Sequence, residues 1–245
     1  MVKYFFFLSF FVLFNGPIFV SASQEESASK KVVNSQEIQS EKNQKWHSLL
    51  NGKDLTGWET PDFGGSGKIT VTKNGSVQME MGAMITGMRY VKEFPKTNFE
   101  MEFEAQRTLG NDFFAAVTFP VGKEFCSFVT GGWGGTVFGL SSVNGWDASE
   151  NSTSQFFESK NDTWYKIRVR VTEKRIRCWV DKQEIVDYPR EDNSFSTRFE
   201  VQETEPLGIS NYCCESEIRN IRYRILEKEE EEPAEKKENK GKSDK

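Results

Sequence analysis

The chain has 245 residues, a formal net charge of −5 and an isoelectric point near 5.3, so the basic footprint that a nucleic-acid partner requires is missing. Its single histidine, His47, points away from a histidine-based triad or metal cluster. No glycine-rich phosphate loop sits between a strand and a helix, and no metal or other cofactor is expected.

The amino terminus carries Lys3, an apolar run over 4–14, a break at Asn15-Gly16-Pro17 and small residues at Ser21, Ala22 and Ser23. These features define a secretory signal peptide over 1–23. The run is short for a bilayer and Pro17 interrupts it, which weighs against an uncleaved anchor. The mature chain is therefore expected outside the cytoplasm, periplasmic or extracellular, with no membrane attachment after cleavage. A polar linker follows over 24–45, then one domain over 46–226, and a Glu/Lys tail over 227–245 too polar to bury a core and expected to be disordered.

Within the domain the dominant signal is alternation with period two. Strands are expected at 68–72, 76–81, 99–106, 113–119, 125–129, 136–140, 166–171, 175–180, 183–187, 207–212 and 218–225. Phe99, Met101, Phe103 and Ala105 take one face while Glu100, Glu102, Glu104 and Gln106 take the other, read as a solvated face balanced by Arg168, Arg170, Arg222 and Arg224. Thr172-Glu173-Lys174 makes a short hairpin connection. No segment shows a helical period. The fold class that follows is all-β, an antiparallel sandwich of two sheets with phenylalanines filling the gap and helices at most as connectors.

Cys126, Cys178, Cys213 and Cys214 match no zinc spacing. A disulfide such as Cys126 to Cys178, or one from either to Cys213 or Cys214, and free buried thiols both remain open.

The stretch over 131–150 gathers Gly131, Gly132, Gly134, Gly135, Trp133, Asn144, Trp146, Asp147 and Glu150 in one irregular segment. Glycines let backbone approach a ligand, and an indole among them has few neighbours to bury it, a combination suited to a carbohydrate. The competing reading is a tight bend with Trp133 folded onto the core, and an Asx turn or helix cap at Asp147 to Asn151.

The opening run from Trp46 to Trp58 (Trp-His-Ser-Leu-Leu-Asn-Gly-Lys-Asp-Leu-Thr-Gly-Trp) resembles the entry motif of the 3-keto-disaccharide hydrolase family. So do Asn-Phe-Glu-Met-Glu-Phe at 98–103, Trp-Tyr-Lys-Ile-Arg-Val-Arg-Val at 164–171, Pro-Leu-Gly-Ile at 206–209 and Ile-Arg-Asn-Ile-Arg-Tyr-Arg at 218–224. The resemblance spans the domain and implies a jelly roll of the concanavalin A-like lectin/glucanase type. It implies an activity on glycosides already oxidised at C3, where the ketone acidifies the C2 hydrogen, a base removes it, the C1 substituent leaves and water adds. Under that implication Asp147 and Glu150 are candidates for base and acid, Arg107 for stabilising the enolate, and Asp112 for orienting Arg107. Trp133 and Trp146 are candidate stacking platforms, with Asn144 and Asn151 as polar contacts to a glycoside or oligosaccharide partner. A carbohydrate-binding module without catalysis is the alternative, and a structural surface domain a third. Glu100-Met-Glu-Phe-Glu104 also resembles the catalytic strand of laminarinase-type glucanases. However, Glu100 and Glu104 lie roughly 13 Å apart on an extended strand, against about 5 Å for a retaining pair.

Overall fold

The computed structural model describes residues 45–227. The expected signal peptide, all of the linker but Lys45 and all of the tail but Glu227 lie outside the described residues. In chain order the strands are β1 (His47–Ser48), β2 (Trp58–Glu59), β3 (Ile69–Val71), β4 (Val77–Met79), β5 (Ile85–Tyr90), β6 (Phe99–Leu109), β7 (Ala116–Val121) and β8 (Glu124–Gly131). They continue as β9 (Val137–Ser141), β10 (Gln155–Phe156), β11 (Tyr165–Val171), β12 (Arg175–Val180), β13 (Gln183–Pro189), β14 (Gly208–Tyr212) and β15 (Glu215–Ile225). One helical turn, Gly132–Gly135, and one 3-10 helix, Phe199–Thr204, interrupt them.

Two antiparallel sheets stack as a jelly-roll sandwich. The eight-stranded sheet runs β13-β12-β11-β6-β15-β4-β3 with β1 beside β15, and the seven-stranded sheet runs β10-β9-β8-β7-β14-β5-β2. Phe99, Met101 and Phe103 of β6 project between the sheets, as do Phe119 of β7, Phe128 of β8 and Phe138 of β9, all essentially without solvent exposure. Each such side chain contributes on the order of 2 kcal/mol from burial alone, so alternation on the central strands decides which face turns inward.

Strand β5 is absent from the expected set for a physical reason. Its polar Thr86 faces inward with Met88 and Tyr90 and is fully buried, whereas the apolar Ile85 lines an outer cavity, so the alternation is reversed at the start of the strand. The strand expected at 113–119 begins at Ala116 and continues to Val121. All four cysteines are free, which settles the open disulfide question. Burial pushes the Cys126 and Cys214 thiols up to about 12 and raises that of Cys178, as expected of inert packing groups.

The carboxylate face of β6 corrects the expectation of a solvated surface. Glu100 is 1% exposed and accepts from Arg170 at 2.6 Å and Arg224 at 3.0 Å. Glu102 pairs with Lys166 at 2.7 Å and with Arg222, and Glu104 with Arg219 at 2.6 Å. Indoles roof the ladder: Trp46 lies 4.8 Å from the Arg222 guanidinium, Trp164 3.9 Å from Arg219 and Trp179 4.0 Å from Arg168. A bulge between Arg219 and Arg222, with Asn220 at φ 57°, brings Arg219 opposite Glu104 and Arg222 opposite Glu102. Simple alternation would have placed 219 and 222 on opposite faces.

This ladder sets a pH dependence. Burial acts to raise the carboxyls of Glu102 and Glu104, but hydrogen bonds from Lys166 and Arg222, and from Arg219 and Asn220, outweigh it and hold both below the ordinary value near 4.5. Their contribution to stability is present above that value and is lost as pH falls through the lowered ones. Melting temperature is expected to be flat from pH 7 to 5 and to fall below pH 4.5. In the double variant Glu102→Gln/Glu104→Gln the acid limb of the curve should flatten, and an unchanged limb would contradict this assignment.

Candidate functional site

The outward face of the seven-stranded sheet carries small side chains where β7, β8 and β9 lie side by side. Cys126, Phe128, Phe138 and Leu140 turn into the core, which leaves Ala116, Ser127, Val129 and Ser141 facing away from it. Short side chains on adjacent strands leave a depression. Met84, Ile85, Asp112, Phe113, Trp133, Arg198, Glu200, Val201 and Tyr212 wall it into a cavity of about 320 Å³. That volume is at the small end of the range for ligand pockets.

Trp133 reaches the cavity through the Gly132–Gly135 turn. Its own φ is 49°, and Gly135 at φ 103° would place a Cβ 2.6 Å from the Asn111 carbonyl oxygen, so only glycine fits there. The Asp112 carboxylate pins the turn, accepting from the Phe113 amide at 2.8 Å and from the Gly134 amide at 3.1 Å. The indole remains 44% exposed at the cavity wall rather than in the inter-sheet core.

Arg107 stands behind this turn. It is 5% exposed, donates to the Asn161 side chain at 2.6 Å and to the carbonyls of Asp112 and Ser159 at 3.0 and 3.1 Å, and does not line the cavity. Its link to Asp112 therefore runs through the backbone carbonyl and leaves the carboxylate turned to the cavity.

Asp147 adjoins the cavity through Arg198. One oxygen closes an Asx turn onto Ser149, and the other accepts from Arg198, which also donates to Glu200 at 2.7 Å. Hydrogen bonding from Arg198 holds the Glu200 carboxyl below its usual range despite partial burial, and the same bond to Glu200 raises Arg198. Glu150 is exposed and lines no part of the cavity. Trp146 is 59% exposed and also lies outside the lining. Asn144 is held by Asn193 at 2.8 Å and by the Ser194 amide at 2.9 Å. Asn151 donates to the carbonyls of Leu140, Trp146 and Asp147, tying the loop to β9. Of the residues singled out from sequence, then, Trp133 and Asp112 meet in the cavity, Asp147 reaches it through a guanidinium, and Arg107, Asn144, Trp146, Glu150 and Asn151 stand outside it.

Sequence reasoning missed Arg198, Glu200 and Tyr212, and the floor serines Ser127 and Ser141. Arg198 and Glu200 flank the start of a 3-10 helix with no periodic signal. The available sign was the run of small residues in outward strand positions, an economy of side chain that an ordinary solvated face does not need. Among the described residues no group of three or more His, Cys, Asp or Glu is disposed to hold a metal ion.

The fold and family together define a carbohydrate-active jelly roll. The chain belongs to the 3-keto-alpha-glucoside-1,2-lyase-like domain family, whose model matches residues 45–224. No curated protein matches it. Solved structures with a similar fold include one from work on endo-acting O-glycanases of the human gut microbiota, with 12% identity, TM-score 0.49, and coverage of 75% of this chain and 99% of that one. A carbohydrate-binding module from Bacillus subtilis has 13% identity and TM-score 0.43, covering 69% and 95%. Domain 4 of an extracellular arabinanase from Geobacillus stearothermophilus, in complex with arabinotriose, has 12% identity and TM-score 0.46, covering 74% and 91%.

Proposed function

We propose that the protein is exported and cleaves glycosides already oxidised to a ketone at C3, and that the reaction takes place in the cavity of the seven-stranded sheet. The observation that carries this reading is the meeting of two carboxylates, one guanidinium and a half-exposed indole around a sugar-sized space. Asp112 is the base: both its oxygens are oriented by backbone amides and no cation among the described residues neutralises it. Glu200, engaged by Arg198 at 2.7 Å, is the less available of the two carboxylates. The base takes the C2 proton, and the C2–H electron pair forms the enolate with C3. The enolate then re-forms the ketone and expels the C1 substituent, whose departing oxygen takes the proton back from Asp112 and leaves as an alcohol, and water adds across the resulting C1=C2 double bond. Arg198 supplies positive charge to the developing enolate, and Asp147 fixes the arginine from behind.

Trp133 provides the stacking face, and Trp133→Ala is expected to weaken ligand binding by about 1 kcal/mol, roughly 5-fold, in a calorimetric titration. Elimination followed by hydration also leaves an isotopic mark. In heavy water the sugar product should carry deuterium at C2 beyond an enzyme-free control, whereas direct hydrolysis would retain the original hydrogen. Binding with no turnover of any glycoside would instead place the protein among carbohydrate-binding modules.

A further inference from the structure

Two serines on the cavity floor remain without a role. Ser127 of β8 and Ser141 of β9 are direct partners across the antiparallel pair, which places their Cβ atoms about 5 Å apart. Both line the cavity and both are almost fully buried. They differ in what their hydroxyls have left to offer.

Behind Ser127 runs a chain of hydroxyls. Thr204 Oγ1 lies 2.5 Å from the Val201 carbonyl oxygen and 2.7 Å from Thr118 Oγ1, which in turn lies 2.8 Å from Ser127 Oγ. The Thr204 hydroxyl donates toward both the Val201 carbonyl oxygen and Thr118 Oγ1, and either hydroxyl can donate in the contact between Thr118 and Ser127. Whichever of the two donates, Ser127 already has one partner in the protein and keeps at least one lone pair for the cavity. Ser141 is the opposite case: its buried Oγ has no hydrogen-bond partner among the described residues, so its proton is unspent. A buried hydroxyl left in that condition destabilises a fold, and on a cavity floor it offers a bond that a ligand can take up.

We propose that Ser127 and Ser141 together read a ketone beside a hydroxyl, the grouping that a 3-keto sugar carries. This rests on the 3-keto reading above. Ser141 donates to the C3 carbonyl oxygen and keeps that bond as the oxygen becomes an enolate. Ser127 accepts from the hydroxyl on the neighbouring carbon. A bond to the developing oxyanion strengthens along the reaction, while a bond to a spectator hydroxyl does not, so the two serines divide kcat from KM.

The test uses Ser141→Ala and Ser127→Ala with methyl 3-keto-α-glucoside as substrate. Ser141→Ala should lower kcat about 30-fold with KM changed less than 3-fold, and its melting temperature should stay the same or rise, because an unsatisfied hydroxyl is removed. Ser127→Ala should raise KM about 10-fold with kcat little changed. A merely structural serine would not produce this split together with an undiminished melting temperature. Turnover by the wild type with neither variant altering kcat or KM would overturn the assignment of the serines and leave the 3-keto reading standing. A wild type that neither binds nor turns over the 3-keto sugar would overturn both.

Discussion

Asp112→Asn is expected to cut turnover of a 3-keto glycoside by roughly 100-fold or more, the usual consequence of removing a general base. The amide keeps an oxygen for the Phe113 amide proton but has no second acceptor for Gly134, so the Gly132–Gly135 turn loses its hydrogen bond to this side chain. That loss is worth about 1 kcal/mol and should lower the melting temperature only slightly. Measuring kcat/KM alongside a thermal melt separates the two effects. If turnover survives, the base is another carboxylate, with Glu200 next in line on the cavity wall.

The largest effect on stability is expected far from the cavity. Glu100→Ala removes the carboxylate that Arg170 and Arg224 share, and the side chains of those arginines are 9% and 5% exposed. Withdrawing one member of a buried ion cluster leaves charge without compensation and costs about 3–5 kcal/mol. Replacing Glu100, Arg170 and Arg224 together with packed apolar residues should cost less than Glu100→Ala alone, because the desolvation penalty leaves with the charges. Denaturant unfolding of both variants decides the point; a loss under about 1 kcal/mol for Glu100→Ala would mean that water reaches the ladder. The same burial bears on the glucanase resemblance of this strand. All three carboxylates are occupied by lysine or arginine, and the face is roofed by indoles rather than open to a sugar.

Where a strand alternates cleanly between core and solvent, as in β6, β11 and β12, its position was legible in the sequence, because burial of one face is the strongest local constraint on a sheet. β5 escaped because its alternation starts reversed, with polar Thr86 in the core and apolar Ile85 on the cavity wall. The ladder was legible in composition but not in burial: nothing local says that three tryptophans from distant segments cover it. The segment around Trp133 drew attention because a glycine-rich turn needs unusual backbone angles, and Asp112 only through the family resemblance. Arg198 and Glu200 did not, since Arg198 meets Asp147 across 51 residues and its bond to Glu200, two residues on, leaves no periodic trace. Ser127 and Ser141 are the hardest case. A serine in an outward strand position looks like any solvent-facing residue until the neighbouring strand and the hydroxyl chain behind it are in place.

The most direct measurement incubates the purified protein with a glucoside and with its 3-keto counterpart and follows release of the C1 substituent. A carboxylate base is strong enough for the C2 hydrogen only when the neighbouring ketone acidifies it. Cleavage of the 3-keto glycoside alone is the result predicted here; equal cleavage of the unmodified glucoside, or binding of both with cleavage of neither, would contradict it.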